Sequence, residues 1–374
     1  ERLVDQAQEG DRIIVDGGGG QVFIDPDAET LAKYVEIEHK ITESDRRLAD
    51  ALHELPAETV DGRRITLYAN IEFPEEAQTA IDNGAEGIGL YRTEYLYLQK
   101  GREPTEAEHL EAYRSAAELM WPRPVVVRTL DLGADKVVSA IPGRFTAEAN
   151  PFLGCRSIRL CFERIGMFKT QLRAILRASV FGYIRILIPM VTSLREIVRV
   201  KEILAEVRED LATEGIDNEL DIELGIMIEV PSAAVMADSF AKEVDFFSIG
   251  TNDLIQYTLA VDRGNPVISH LFQPGHPAVI KLIKYTIDAG DAAGIPVAMC
   301  GQMSGDLSYL VLLLGLGLRE FSTSPKVLPE LKRAIRLIKM DDARDIADEV
   351  MKEADIEHAL DTLTHRRQEL IGEV

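Results

Sequence analysis

Two pairs of charged side chains in this chain have the types that phosphate or carboxylate chemistry requires. Arg92 and Arg128 each end a short apolar run, and a planar guanidinium group binds phosphate or carboxylate oxygens through two parallel hydrogen bonds. Glu229 and Asp253 also follow apolar runs. Carboxylate oxygens suit Mg²⁺, which shares its remaining positions with water and substrate phosphate. Together the four residues predict a small, phosphate-bearing anion bound beside Mg²⁺.

A cysteine and several polar residues extend this set. Cys300 follows another apolar run, and because thiol pKa values shift readily with their surroundings, its side chain can act as an acid or a base. The other candidates lie near the same runs or in the polar stretches that follow them. They are Lys136, Arg156, Asn252 and Arg263.

Each candidate alone has an ordinary structural explanation. A single arginine is commonly a solvated side chain, and a cysteine after an apolar strand is commonly a small buried hydrophobic residue. Glu229 could cap the helix after it, as could Asn252 and Asp253. Arg263, just before Gly264, could complement the dipole at a helix end. The functional prediction therefore depends on the whole set.

Short apolar runs alternate with amphipathic stretches between residues 65 and 324, and these elements must position the candidates. Several runs are almost continuously apolar, as expected of parallel strands buried on both faces. Eight strand–helix units over about 260 residues predict an α/β protein with a (β/α)₈ barrel. An open doubly wound sheet is less favoured, because no GxGxxG turn follows the first strand. The candidates fall where such barrels carry their sites, at the carboxyl ends of the strands. The runs span residues 65–71, 87–92, 124–131, 183–191, 221–230, 245–253, 296–300 and 319–324.

The segments on either side of the barrel have patterns of their own. Ile13–Val15 and Val22–Ile24 are separated by glycines, which predicts a β hairpin. Two strands alone are marginally stable, so we expect the hairpin to be part of a larger sheet and the chain to be a fragment. Residues 27–55 have helical periodicity that ends at Pro56. The charged tail, residues 341–374, is predicted to be helical and to pack on the barrel or on a partner.

Composition excludes several classes of protein. Lys and Arg number 41 and Asp and Glu 63, which gives a net charge of −22 over 374 residues. This acidity argues against nucleic acid binding. No apolar run is long enough to span a bilayer, and the opening residues do not have the pattern of a signal peptide. Three cysteines are too few for a disulfide framework or a zinc site. We therefore expect no membrane insertion, and a reduced, soluble, cytoplasmic protein.

Eight segments, in order between about residue 60 and residue 340, resemble the phosphoenolpyruvate–protein phosphotransferase family, enzyme I of the sugar phosphotransferase system. The resemblance is to the C-terminal, phosphoenolpyruvate-binding part of that family. Pyruvate phosphate dikinase and phosphoenolpyruvate synthase share the barrel, but the residues of these segments are more similar to those of enzyme I. The segments are GIGLYRTEYLYL, RTLDLGADK, NPFLGCRSIR, LIPMV, GIMIEVPSA, DFFSIGTNDLIQYTLAVDR, HPAVI and CGQMSGD.

The resemblance implies a Mg²⁺-dependent barrel of the phosphoenolpyruvate/pyruvate-binding type and gives roles to the basic candidates. Arg92, Arg128 and Arg263 would hold phosphate and carboxylate, and Arg156 would support them. Lys136 would lie near the bridging or phosphate oxygens.

The same resemblance gives roles to the remaining candidates. Glu229 and Asp253 would bind Mg²⁺, and Asn252 would donate a hydrogen bond to the phosphate. Cys300 would protonate C3 of the enolate and so produce pyruvate. Gln302 stands where the family usually has an acidic residue, a departure that bears on the tuning of Cys300.

The family passes its phosphoryl group to a histidine on a swivelling domain and then to the histidine phosphocarrier protein. None of the seven histidines here lies in the corresponding motif, so we expect this chain to be unable to complete the transfer alone. Residues 1–26 are predicted to be the C-terminal remnant of the swivelling domain, residues 27–58 a linker helix, and residues 59–374 the barrel with C-terminal helices. The family also implies a homodimer.

Two alternatives remain open from the sequence. The chain could be a phosphoenolpyruvate-sensing dimerisation module of a nitrogen-branch paralogue, which carries a sensory domain upstream. It could also be the barrel of a pyruvate phosphate dikinase or phosphoenolpyruvate synthase, although the dikinase needs a nucleotide-grasp domain that these residues do not contain.

Overall fold

The computed structural model describes residues 6–17, 19–132, 148–216, 218 and 221–371. The chain divides into two compact units, Glu1–Ala51 and Leu52–Val374. Each unit is described by itself below.

The first unit contains a hairpin and a long helix. Strands β1 (Ile13–Asp16) and β2 (Gln21–Ile24) pair antiparallel, and helix α1 covers Ala28–Leu52. The Tyr34 hydroxyl donates to Asp16 Oδ2 at 2.9 Å, which ties α1 to the hairpin. The predicted hairpin and helix are therefore confirmed, with the helix ending a few residues before Pro56.

Eight parallel strands of the second unit close into a barrel, which confirms the predicted fold class. Each strand lies within one of the eight apolar runs, and the sheet closes where the first barrel strand pairs with the last. The barrel strands are β3 (Thr66–Ile71), β4 (Ile88–Arg92), β5 (Val125–Arg128), β6 (Ile184–Ile188), β7 (Leu224–Ile228), β8 (Phe246–Ile249), β9 (Val297–Met299) and β10 (Glu320–Thr323).

Helices surround the barrel and follow its strands in the sequence. The helices of the described barrel unit are α2 (Glu76–Asp82), α3 (Glu94–Lys100), α4 (Glu106–Met120), α5 (Ile158–Glu163), α6 (Ile165–Ala178), α7 (Leu194–Thr213), α8 (Pro231–Val235), α9 (Ala237–Phe240), α10 (Thr251–Leu259), α11 (Pro277–Ala293), α12 (Leu307–Leu316), α13 (Leu328–Ile335), α14 (Met340–Lys352) and α15 (Ile356–Ile371). Within the described ranges, none combines the length and apolarity needed to cross a membrane.

Two separate apolar layers follow from the alternation of side chains along each strand. In β8, Phe247 and Ile249 join the main core between sheet and helices. Phe246 points the other way, into the barrel, where it joins a small second cluster. That cluster forms an apolar floor beneath the carboxyl ends of the strands. Its members are Leu90, Val126, Leu187, Met227, Phe246 and Cys300.

The charged tail is helical, as predicted, and packs on the outside of the barrel. Helix α14 lies against α12 so closely that a Cβ at Gly315 would collide with the carbonyl oxygen of Ala343. Ile346 and Ala347 of α14 are buried. The last helices thus belong to the same packed unit as the site.

Candidate active site

A cavity of about 660 Å³ opens at the carboxyl ends of the barrel strands. Eight of the nine residues predicted from the sequence line it, although their positions span more than half of the chain. Lys136, the ninth, lies outside the described residues. The eight are Arg92, Arg128, Arg156, Glu229, Asn252, Asp253, Arg263 and Cys300.

Alternating acidic and basic side chains, here called the buried charge chain, cross one wall of the cavity. Arg128 contacts Glu94 through Nη2, and its Nη1 lies 2.9 Å from Asp131 Oδ2. Nη2 of Arg156 lies 2.9 Å from Asp131 Oδ1 and 3.0 Å from Asp253 Oδ2. All five side chains are nearly buried. The two arginines are therefore fixed in place from both sides.

Asp131 lies in the middle of the buried charge chain and is not among the nine residues predicted from the sequence. Burial alone would raise its pKa, but the guanidinium groups of Arg128 and Arg156, with a hydrogen bond from Ser157, hold the pKa well below its ordinary value. Asp131 therefore remains an anion at neutral pH. Asp131 could have been predicted from its position three residues after Arg128, because this spacing at a strand end brings the two side chains together.

Glu229 is 2% exposed and accepts a hydrogen bond at Oε1 from the backbone N–H of Met190, at 2.7 Å. Met190 has a φ of 59°, which is uncommon for a residue with a side chain. Burial and the nearby carboxylates of Asp131 and Asp253 raise the pKa of Glu229 well above its ordinary value. The alternative role as a helix cap is wrong, because Val230 occupies the N-cap position of α8. The Glu229 carboxylate faces the cavity instead.

Asn252 and Asp253 lie in the first turn of α10, whose N-cap is Gly250 without a side-chain cap. The capping alternative is therefore wrong for both. Asn252 Oδ1 accepts from the backbone N–H of Gln302 at 3.0 Å, which leaves its amide N–H groups as donors toward the cavity. A Cβ at Gly250 would lie 2.8 Å from Glu229 Oε2, so this glycine permits the close approach of β8 to that carboxylate.

Arg92 and Arg263 are the more exposed cations of the cavity. Their side chains are 31% and 39% exposed, and Arg92 Nη1 lies 2.9 Å from Glu72 Oε1. Helix α10 ends at Leu259, with Ala260 as its left-handed C-cap. The alternative that Arg263 complements the end of this helix ahead of Gly264 is wrong, because the helix stops before it. Both side chains line the cavity, and Arg263 Nη2 lies 3.9 Å from Asp253 Oδ1.

Cys300 lies on the apolar floor and is 3% exposed. Its backbone is held on both sides, since its N–H donates to Ile249 O at 3.1 Å and its carbonyl accepts from Asn70 Nδ2 at 3.1 Å. Burial raises the pKa of its thiol, and a hydrogen bond from Ser248 acts in the opposite direction. Cys300 is thus a protonated thiol at neutral pH, and it lines the cavity.

The balance of buried charge favours a divalent cation. Four nearly buried carboxylates accompany two buried guanidinium groups, and burial raises the pKa of two of the four, Glu94 and Glu229. Full ionisation of all four therefore calls for additional positive charge. Oδ1 of Asp253 is also buried without a hydrogen bond. No group of three metal-ligating His, Cys, Asp or Glu side chains occurs within the described ranges. Two carboxylates nevertheless suit Mg²⁺, which takes its other ligands from water and substrate. The carboxylates are those of Glu94, Asp131, Glu229 and Asp253.

Comparison with known families decides what kind of site this is. The family model described as "PEP-utilising enzyme, PEP-binding domain" matches residues 46–340, which include every described lining residue of the cavity. This chain belongs to the PEP-utilising enzymes. Its barrel is their phosphoenolpyruvate-binding domain, and the family resemblance of the eight segments is confirmed.

Among curated relatives of this PEP-utilising chain, two are named phosphoenolpyruvate-protein phosphotransferase. The one from Staphylococcus carnosus is 45% identical over 359 residues, covering 96% of this chain and 62% of the relative. The one from Geobacillus stearothermophilus is 48% identical over 340 residues, covering 91% of this chain and 58% of the relative. The chain thus spans about three fifths of these relatives. A solved citrate lyase from Burkholderia xenovorans covers 86% of this chain and 96% of its own length at 14% identity, with a TM-score of 0.48, and bears on no functional argument.

Proposed function

We propose that this chain is the catalytic, phosphoenolpyruvate-binding part of a phosphoenolpyruvate-protein phosphotransferase. Phosphoenolpyruvate would bind with Mg²⁺ and donate its phosphoryl group to a histidine of a separate swivelling domain, which passes it to the histidine phosphocarrier protein. Pyruvate would be released. The observation that carries this proposal is the single cavity in which fixed cations, buried carboxylates and a thiol meet.

The cations would bind the two acidic ends of the substrate. Arg128 and Arg156, held by the buried charge chain, offer guanidinium groups that need no rearrangement. Arg92 and Arg263 would close on the phosphate or carboxylate from the opening. Asn252, with its carbonyl engaged by Gln302, would donate to the phosphate, and Lys136 is proposed to assist from the sequence alone.

Glu229 and Asp253 would hold Mg²⁺. The ion supplies positive charge next to the transferring phosphoryl oxygens when it is bound. The cluster of buried carboxylates and the absence of a hydrogen bond to Asp253 Oδ1, which lies 3.9 Å from Arg263 Nη2, fit such an ion. Without it, the raised pKa of Glu229 favours a protonated carboxyl group, which is a poorer metal ligand.

Cys300 would act as the acid for C3. Once the phosphoryl group has left, the enolate π electrons form the new C3–H bond with the thiol proton, and the S–H electron pair stays on sulfur. A thiol that is protonated at neutral pH can perform this step, whereas a thiolate cannot. The apolar floor keeps Cys300 in the protonated form beforehand.

Titration calorimetry with phosphoenolpyruvate, with and without Mg²⁺, tests the binding part of the proposal. We expect binding that Mg²⁺ strengthens, and Asp253→Asn should remove that strengthening. Asp348→Asn, at an exposed position of α14, is the control and should bind as the unaltered chain does. Binding that ignores Mg²⁺ in the unaltered chain would rule out the proposed site.

A second experiment tests the chemistry. The chain is mixed with a separately produced swivelling histidine domain from a relative, and pyruvate is measured. We expect pyruvate only in the mixture, and Cys300→Ala should abolish its formation while leaving phosphoenolpyruvate binding within about twofold. Unchanged pyruvate formation by the Cys300→Ala variant would remove the cysteine from the mechanism.

The finer family properties also belong to this proposal. A homodimer, a role in sugar transport and a cytoplasmic location are carried over from the resemblance alone. Sedimentation velocity checks the first of these: we expect a dimer, and a monomer at micromolar concentration would contradict it.

A further inference from the structure

Ser248 lies beside the proposed acid and has no role in the mechanism so far. It is 1% exposed and lies in the middle of β8, paired with Met227 of β7 and Ala298 of β9. Because side chains alternate along a strand, Ser248 shares the inward face with Phe246. Its Oγ donates a hydrogen bond to Cys300 Sγ at 3.1 Å.

This hydrogen bond constrains where the thiol proton of Cys300 can point. With the sulfur accepting from Ser248, the S–H must point elsewhere. One direction leads to the carbonyl oxygen of Ile249, 3.8 Å from Sγ, which already accepts the backbone N–H of Cys300 at 3.1 Å. A contact of that length is weak. The other direction is the cavity, so the S–H is free to face a bound substrate.

The hydroxyl also affects the sulfur after its proton has left. The floor around Cys300 is otherwise made of aliphatic, thioether and phenyl groups, and burial of a charged sulfur among such groups is costly. Of the charged groups around the cavity, Arg128 and Arg92 favour the thiolate and Glu229 opposes it. Hydrogen bonds to charged acceptors are stronger than those to neutral ones. Within the described part of the chain, Ser248 supplies the side-chain hydrogen bond to this sulfur.

We propose that Ser248 is a positioning residue for proton transfer, which directs the S–H of Cys300 into the cavity and stabilises the thiolate that remains. This inference rests on the proposed function, in which Cys300 protonates C3. The S–H bond breaks, its electron pair stays on sulfur, and the C3–H bond forms from the enolate π pair. After pyruvate leaves, water returns a proton to the sulfur.

The test measures the thiol itself, with no substrate present. The full chain is alkylated with iodoacetamide at a series of pH values, and the modification of Cys300 is followed by peptide mass spectrometry, which separates it from Cys155 and Cys161. In Ser248→Ala we expect the pH midpoint of Cys300 alkylation to rise by about one unit, since a hydrogen bond to a charged acceptor is lost. Ser248→Thr keeps the hydroxyl and should restore the midpoint.

Two further variants guard against a merely structural effect. Ser304→Ala removes another buried hydroxyl, which donates to the carbonyl oxygens of Gly301 and Ser322, and should leave the midpoint where it is. Ser248→Cys, fully reduced before alkylation so that no disulfide with Cys300 forms, supplies a weaker donor and should give an intermediate midpoint, even if Ser248→Ala folds poorly.

The outcomes separate this inference from the proposed function. A midpoint that does not move in Ser248→Ala and Ser248→Cys, or that moves equally in Ser304→Ala, overturns the role of Ser248. Pyruvate formation by the Cys300→Ala variant decides the acid role of the cysteine independently. If Cys300 is the acid and Ser248 positions its proton, Ser248→Ala should also shift the pH profile of pyruvate formation, and Ser248→Thr should restore that profile.

Discussion

At the scale of the residue, the site depends on buried side chains of opposite charge that pair with one another. Asp131 lies between Arg128 and Arg156 and pairs with both, and its charge offsets part of the cost of burying two guanidinium groups. Arg128 and Arg156 place two cations at the cavity of a chain whose net charge is −22. The overall charge therefore does not describe which groups an anion would meet at the site.

We expect Asp131→Asn to lower the free energy of unfolding by about 3 kcal/mol, because it removes the shared partner of two buried guanidinium groups. The variant should also bind phosphoenolpyruvate more weakly, since both arginines lose their fixed position. Urea unfolding and calorimetry measure the two effects.

The matched control is Asp341→Asn. Asp341 also pairs with an arginine three positions away, Arg344, but both side chains are at least half exposed. Such surface pairs contribute at most about 1 kcal/mol. Equal losses in the two variants would show that burial of the Asp131 pair adds no stability.

Much of the site could be predicted from single residues, but their partners could not. Arg92, Glu229 and Cys300 were selected because each ends an apolar run, and a barrel gathers such ends. The hydroxyl of Ser248 gave no signal, since a serine inside a strand is ordinary. Its contact with Cys300 arises from the neighbouring positions of β8 and β9, which exist only in the folded sheet.

At the scale of the element, a buried polar network fixes the strand ends to the helices behind them. Gln171 of α6 accepts from Leu130 N at 3.0 Å and donates to Thr93 Oγ1 and Tyr113 OH. Thr93 in turn donates to the carbonyl oxygen of Arg128 at 2.8 Å. The network thus holds the residues that flank the charged end of β5.

His109 ends this network and makes it sensitive to pH. The Tyr113 hydroxyl accepts from Gln171 and lies 2.8 Å from His109 Nδ1, where the tautomer of the ring sets the direction of the hydrogen bond. Burial lowers the pKa of His109 to about 4, against a smaller opposite effect of Glu108. The Tyr97 ring packs on its other side.

We expect the free energy of unfolding to fall as pH falls between about 6.5 and 4. The folded pKa is below the unfolded one, so the unfolded chain binds more protons in that window. Between pH 7 and pH 5, His109 accounts for a loss of about 2 kcal/mol in the free energy of unfolding. The His109→Gln side chain is neutral at every pH, so this variant should lose about 2 kcal/mol less free energy of unfolding than the unaltered chain between pH 7 and pH 5. Urea unfolding measures the difference. Equal losses in the two proteins would show that His109 does not cause the pH dependence.

The contact of α12 with α14 gives a second prediction for an element. Gly315→Ala would gain about 1 kcal/mol of helix propensity, but the new Cβ would collide with the backbone oxygen of Ala343. Overpacking of this kind costs about 1–3 kcal/mol, so we expect net destabilisation in thermal unfolding. Gly166→Ala in α6, where a Cβ meets nothing within 4 Å, is the control and should be neutral or slightly stabilising. A Gly315→Ala variant as stable as the control would show that α14 moves away freely.

At the scale of the whole molecule, every described residue that lines the cavity belongs to the unit Leu52–Val374. We therefore expect a chain of residues 52–374 to bind phosphoenolpyruvate with Mg²⁺ within about threefold of the full chain's affinity. Calorimetry and urea unfolding measure this. A folded shorter chain that has lost Mg²⁺-dependent binding would show that the first 51 residues contribute to the site.

The overall architecture was the most predictable level of the structure. The strands β3 to β10 fall inside the eight apolar runs because strands buried on both faces need near-continuous apolar sequence. Helix ends were less predictable. Helix α10 stops at Leu259 because Ala260 adopts a left-handed conformation, and an alanine does not signal a helix end in the sequence. Arg263 therefore lies beyond the helix and does not complement its dipole.

The closure of the barrel by β3 and β10 also shapes how the chain is made. Thr66 pairs with Glu320, so one edge of β3 has no neighbouring strand until a segment about 250 residues later has been made, and loops of that size close slowly. Until then the edges of an unfinished sheet are open to other nascent chains. We therefore expect slower translation before residue 320 to prolong the period in which aggregation competes with folding.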